Sequence, residues 1–547
     1  MFRKKTRLPR IILILLFFTI NSVHSEPWEK KSSDIFVGEN YRLYPSDITQ
    51  TEPFIVTNPN DPDIIFSTAN TVNFQPFFIS EGIYVSTNGA MSWTGNDTCS
   101  GEPIQFHGGD PGIAIDKNGT LILTRLGRTP FSGVYSHYSH DNGQTWSPQN
   151  TITTDVLERA TTSSDGNTNS NYYGRTCSAW VKFAPPYALY YSFSDNGGIH
   201  WSEQTKINNP TQRCAGGDMA IGRTGTVHLC WAVVTSTSPF TEIFVGYANT
   251  QNGGENWWIK ENAFPMNGIQ GILPEKRNIR VNGLPRVAVD NSNSQRDGWL
   301  YVVTTQRSFS PAGGDPDIIL NRSTDSGATW SEGIRVNQDA FNNGKIQFFP
   351  AITVDNSGGV NVIYYDDRNT ISDSCSVFLS RSLDGGDTWT DYEISNHRFQ
   401  PQPIGGLGQG YQGDNIDITT SDDKLLPVWM DNSSGIYQIW SATIELNSVG
   451  ISEENAPIIP EEIELFQNYP NPFNQITQIR YSLPKTTNVN ISVFNLIGQE
   501  IKILVDERKS AGTHVVDFNA SQLPTGIYFY SLETAGYFDV KKMILIK

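Results

Sequence analysis

Six stretches of this chain are near-copies of one another: STNGAMSW at 86–93, SHDNGQTW at 139–146, SDNGGIHW at 194–201, TQNGGENW at 250–257, STDSGATW at 323–330 and SLDGGDTW at 382–389. Their common form, S/T-x-D/N-x-G-x-x-W, suits a tight β-hairpin. The Asp or Asn side chain accepts hydrogen bonds from backbone N–H groups just ahead of it, Gly takes left-handed angles that a Cβ resists, and Trp folds back as an apolar plug. Only the first copy departs from the Gly, with Gly89 one position early and Ala90 in its place. One such octet is a weak signal. Six of them, with starts separated by 53, 55, 56, 73 and 59 residues, define a repeat protein, and strand-rich units of this period are propeller blades.

Each unit reads as an apolar strand, a polar hairpin, a second strand, a variable loop, a third strand, the octet and a fourth strand. First strands are expected at 54–56, 112–116, 219–221, 287–290, 351–355 and 416–418, with a weaker seventh near 157–162. Seven first strands against six octets leaves the last unit without a fourth strand. Residues 34–44 can supply it by pairing with 437–444, which closes the ring and removes an exposed edge. The expected fold is therefore all-β, a seven-bladed β-propeller over 34–446, with a six-bladed ring as runner-up.

The octets resemble the Asp-box, or bacterial neuraminidase repeat, of sialidase-like propellers, and the copies at 139, 323 and 382 match that box at every position. The resemblance covers roughly 34–444. It implies that the box lies between the third and fourth strands of a blade, on the face opposite the active site.

Residues 1–25 read as a secretory signal: five basic residues precede the apolar run 11–20, and Val23-His24-Ser25 offers a cleavage site. No later segment is long and apolar enough to be a transmembrane span. The formal net charge is −17, and losing the basic leader makes it more negative, which argues against nucleic acid and anionic membrane as partners. Five cysteines without CxxC spacing are expected to form one or two local disulfides and otherwise lie buried as thiols.

Residues 447–461 (NSVGISEENAPIIPE) are a linker by composition, and 462–547 read as a small antiparallel, immunoglobulin-like β-sandwich of about seven strands. This last unit closely resembles the C-terminal sorting domain of the type IX secretion system, through NYPNPFN at 468–474, LPTGIYFY at 523–530 and the terminal KKMILIK. The resemblance implies export to the periplasm, passage across the outer membrane, and secreted or surface-attached delivery, with the type IX machinery as a partner.

Chemistry is expected on the face opposite the octets, in loops entering the first strands and loops joining second to third strands. Three of the former carry Gly-Asp, at Asp110, Asp218 and Asp414, and another carries Arg286. The latter carry Arg307, the run Tyr364-Tyr365-Asp366-Asp367-Arg368, and Trp429. Carboxylates, arginines and aromatic rings together suit glycans or glycoproteins. Asp218, Asp366, Asp367, Asp414 and Trp429 are on this ground expected to bind ligand, and by the resemblance Arg286, Arg307 and Arg368 form a carboxylate clamp, Tyr365 is the nucleophile and Asp110 the acid. The family's Phe/Tyr-Arg-Ile-Pro motif is missing, since Phe54 stands in Glu52-Pro53-Phe54-Ile55. Two functions therefore compete: a sialidase-like glycoside hydrolase, and a non-catalytic binding or adhesion module. No cofactor is expected; the oxygen-rich runs 58–63 and 290–293 suggest calcium only weakly, because neither has EF-hand spacing.

Overall fold

A computed structural model describes residues 35–75, 77–99, 107–157, 159–370, 373–446, 463–468, 471–474, 476–509 and 512–546. The secretory-signal and linker assignments lie outside the described residues. Seven antiparallel sheets succeed one another along the chain: I (49–96), II (107–153), III (161–206), IV (213–265), V (286–335), VI (347–393) and VII (417–446 with 35–42). Sheets I to VI each take four consecutive strands in chain order.

All six octets fall at hairpins between third and fourth strands. In the 139–146 copy the Ser139 hydroxyl donates to Asp141 at 2.8 Å and accepts from the Gly143 N–H at 2.9 Å. Asp141 also accepts from the backbone N–H and hydroxyl of Thr145, at 2.8 and 2.6 Å. Trp146 donates its indole N–H to the Gly143 carbonyl at 3.1 Å. The copies at 323 and 382 repeat these bonds. Ala90 takes the usual Gly position at φ 68°, so the hairpin shape persists despite its Cβ.

The long spacing between the fourth and fifth octets has a structural cause. Between sheets IV and V the chain adds a hairpin, Gly271–Leu273 paired with Ile279–Val281, around a 3₁₀ turn at Pro274–Lys276.

Sheet VII is completed by the N-terminal segment. Ile35 pairs with Leu446 and Val37 with Ile444, while Tyr41 pairs with Ser441 and Arg42 with Trp440. The first strands touch in cyclic order, from Thr49–Asn58 through His107–Ile115, Thr161–Ser164, Arg213–Ile221, Arg286–Val289 and Gln347–Val354 to Asp417–Ser421, which returns to Thr49–Asn58. Apolar residues between neighbouring sheets make the cores, and Trp180, Trp231 and Trp429 are among the largest fully buried side chains.

The described cysteines are all buried free thiols. This corrects the expected disulfides. Burial in apolar surroundings pushes Cys177 and Cys214 up to about 12, so both are inert protonated thiols.

The C-terminal unit packs a three-stranded sheet (Glu464–Leu465, Ile476–Leu483, Gly512–Asn519) on a four-stranded one (Glu500–Lys509, Thr487–Phe494, Gly526–Thr534, Tyr537–Leu545) around one core that includes Phe473, Ile491, Phe518 and Tyr530. Arg480 links it to sheet VII: it pairs with Glu445 and lies over the rings of Phe36 and Phe466, 5.2 and 4.4 Å from their centroids.

Candidate functional site

The site grows from a repeated irregularity in the first strands. Those of sheets I, II, IV and VI each carry a bulge near the start, at Glu52-Pro53, Asp110-Pro111, Gly216-Gly217 and Phe349-Pro350. The leading residue of each has φ between 51° and 60°. Proline lacks the N–H that a ladder position needs, and a bulge re-aims the side chain before it. At Glu52 and Asp110 a carboxylic acid occupies a left-handed position that costs a non-glycine residue about 1–3 kcal/mol, the kind of strain that collects at functional sites.

The two carboxyls are neighbours that share one donor, the Asn70 amide, and each perturbs the other electrostatically. Asn70 fixes them: its side-chain N–H donates to Glu52 at 2.7 Å and to Asp110 at 3.3 Å, while its carbonyl accepts from the Asp110 backbone N–H at 2.7 Å. Glu52 also accepts from the Asp414 backbone N–H at 3.0 Å. Burial, then the neighbouring Asp110 and Asp414 carboxylates, hold Glu52 well above the usual carboxylate range, against the pull of Arg159 and Arg280. Burial raises Asp110 as well, opposed by its bond to Asn70. Two neighbouring acids whose ionisation is disfavoured by burial and by each other's charge are poised to share a proton.

Around this pair stand Tyr411, Arg159 and Arg280. The Tyr411 hydroxyl lies 3.1 Å from that of Thr51 and accepts from Asn70 at 3.3 Å. Arg280, carried by the added hairpin, pairs with Asp414 and covers the Tyr411 ring at 5.0 Å. Arg159 donates to Asn415 at 2.6 Å and lies 4.9 Å over the Phe54 ring; among the described residues it has no carboxylate partner within salt-bridge distance.

Along the first strands, a cavity of about 160 Å³ is lined by Phe54, Arg159, Thr161, Asp218, Arg286 and Asp417. Arg286 bridges Asp218 at 3.2 Å and Asp417 at 2.8 Å. Asp110 and Asp414 thus meet in one cluster, and Asp218 and Arg286 meet in the next layer.

The remaining expected residues lie elsewhere. Tyr365 is buried within sheet VI, where its hydroxyl donates to the Met430 carbonyl at 2.7 Å and is held there by apolar rings. The tyrosine hydroxyl that shares the Asn70 amide with Asp110 is that of Tyr411, whereas Tyr365 is bonded to Met430. The three arginines of the expected clamp stand with different partners. Arg286 is bound to its two aspartates, Arg368 is bound to Asp366 and Asp391, and Arg307 sits in a loop bonded through its backbone N–H to Asn267. Asp367 holds the buried Lys276 at 2.6 Å, and Asp366 is pushed up by burial to about 6 against Arg368. Trp429 is buried and donates to Asp431 at 2.9 Å. Tyr365, Asp366, Asp367 and Trp429 are buried and do not line the cavity beside Phe54 and Arg286.

Sequence reasoning missed Glu52, Asn70, Arg159, Arg280 and Tyr411 as site residues. Glu52-Pro53 and Asp110-Pro111 are both acid-proline steps opening a first strand, and that shared spelling was the available signal.

Residues 467–547 match a family model described as the secretion system C-terminal sorting domain. The chain is therefore an exported protein, secreted or delivered to the cell surface through that secretion machinery. No helix among the described residues is long and apolar enough to cross a membrane.

No curated protein matches the chain. Among solved structures it is similar to a protein of unknown function from Dyadobacter fermentans (13% identity, covering 76% of this chain and 100% of that one, TM-score 0.43). It is also similar to a PL25 ulvan lyase bound to its saccharide (11%, 73% and 94%, 0.48) and to the intramolecular trans-sialidase of Ruminococcus gnavus (12%, 58% and 89%, 0.37).

Proposed function

We propose that sheets I to VII are the blades of one seven-bladed β-propeller spanning 34–446, joined through 447–461 to an immunoglobulin-like sorting sandwich at 462–547. On this reading the exported propeller recognises a glycan at the mouth where the first strands begin, and cleaves a glycosidic bond there. The cyclic order of first strands and the pairing of 35–42 with sheet VII support the ring.

The observation that carries the function is the Glu52–Asp110 pair. The shared proton rests on Glu52, the deeper acid, and is relayed through half-buried Asp110 to the leaving oxygen as the glycosidic C–O bond breaks; water then bonds the glycosyl carbon and returns a proton to the pair. Tyr411 and Phe54 offer rings, and Arg159 offers a guanidinium free of any described carboxylate. Both carboxyls are held by the one Asn70 amide, so on this reading the dyad works as one proton-holding unit.

A second reading, a non-catalytic binding module, is favoured by one fact: Arg280 and Arg286 are already neutralised by aspartates, which leaves Arg159 alone for an anionic sugar. Incubation with fluorogenic sialosides and a panel of neutral and uronic aryl glycosides separates the two. Turnover lost in Asp110→Asn supports the hydrolase; no turnover on any member, with saturable glycan binding, supports the module.

A further inference from the structure

At the opposite end of the sheets, the fourth repeat breaks a rule that the other five keep. The residue after the octet tryptophan is Thr94, Ser147, Ser202, Ser331 and Thr390 in those five copies, and Trp258 in the fourth. The small hydroxyl serves the hairpin, because Ser147, Ser202 and Ser331 each accept a backbone N–H from the third strand, at 3.0, 3.1 and 3.0 Å. Trp258 gives up that bond and leaves its ring 45% exposed.

The ring forms one wall of a cleft of about 650 Å³ between the fourth and fifth octet hairpins, lined also by Gln251, Asn252, Asn256, Asp325 and Ser326. The walls are held together. Tyr247 and Asn249 donate to the Ser326 carbonyl at 3.1 and 3.2 Å, and Lys260 donates to the Ala328 carbonyl at 2.7 Å. Tyr247 meets the Trp258 ring edge-on at 6.1 Å, which supports the indole from behind. Gln251 and Asn256 are exposed beside it and present amide donors and acceptors.

We propose that this cleft is a second carbohydrate-binding site, distinct from the Glu52–Asp110 mouth, that takes a neutral glycan. A sugar's C–H face stacks on Trp258 while Gln251 and Asn256 bond its hydroxyls. With no Lys or Arg among its lining residues and Asp325 within it, the cleft disfavours anionic sugars.

Native electrophoresis of the full chain through gels containing xylan, arabinan, galactomannan, laminarin or dextran tests this. At least one neutral polysaccharide retards the protein. Trp258→Ser, which restores the residue type of the other repeats, weakens that retardation at least tenfold with an unchanged melting temperature, and Gln251→Ala weakens it less. Glu52→Gln retains it, which separates this site from the mouth. The proposal is overturned if no member of the panel retards the protein, if Trp258→Ser runs like the wild type, or if Glu52→Gln abolishes the retardation.

Discussion

Glu52 and Asp110 sit on adjacent first strands with their carboxyls sharing the Asn70 amide as donor, each on a left-handed backbone and each followed by proline. Both are therefore fixed at the same height of neighbouring sheets. Their strain and their raised proton affinity have consequences that stability and activity measurements can read.

Both acids are raised in the folded protein, so between the unfolded value near 4 and the raised folded value the native state binds more protons. Stability therefore falls as pH rises through that window. Glu52→Gln, which does not titrate, should flatten the slope and raise the melting temperature at neutral pH relative to the wild type. A steeper or unchanged slope in the variant contradicts the assignment.

Closure by the N-terminal segment ties two ends of the chain some four hundred residues apart. A chain beginning at Thr51 loses the pairs of Ile35, Val37, Tyr41 and Arg42 and exposes the edge of sheet VII. It should aggregate or melt well below one beginning at Glu26, as a single cooperative transition. Equal melting would show that the segment is dispensable.

The octet glycine is strict where a neighbouring sheet presses on it. A Cβ at Gly327 meets the Tyr247 ring at 2.1 Å with φ at 90°, so Gly327→Ala should cost roughly 2–4 kcal/mol in denaturant unfolding. Ala90→Gly relieves a left-handed alanine but removes a buried methyl worth about 0.8 kcal/mol, and should be near neutral.

Tyr365 and Tyr411 separate structure from site. Tyr365→Phe removes a buried bond to Met430 and should lower stability by about 1–3 kcal/mol. Any turnover should persist in it. Tyr411→Phe should instead lower turnover or glycan affinity about tenfold with a smaller change in melting temperature.

The repeat was legible because each octet letter makes a local bond that recurs at fixed spacing, and the pairing of 35–42 with the last sheet was legible because seven first strands stood against six octets. The sheet I and II acids were only half legible. Asp110 announces itself in a Gly-Asp pair, whereas Glu52 depends on a bulge that turns it toward a neighbour 58 positions along the chain. Arg280 and Tyr411 reach the site from an added hairpin and a long loop whose paths no periodicity encodes. Arg368 and Tyr365 misled for the converse reason: their types suit chemistry, but their partners lie within and beside their own sheet.

The central claim is that the Glu52–Asp110 dyad donates a proton to a glycan. Its most direct test is the initial rate of reducing-end release across pH for the wild type, Glu52→Gln and Asp110→Asn. The wild-type rate should fall as pH climbs through the dyad's raised range, and both variants should lose roughly 10²-fold or more. Rates in the variants equal to the wild type at every pH would contradict the claim.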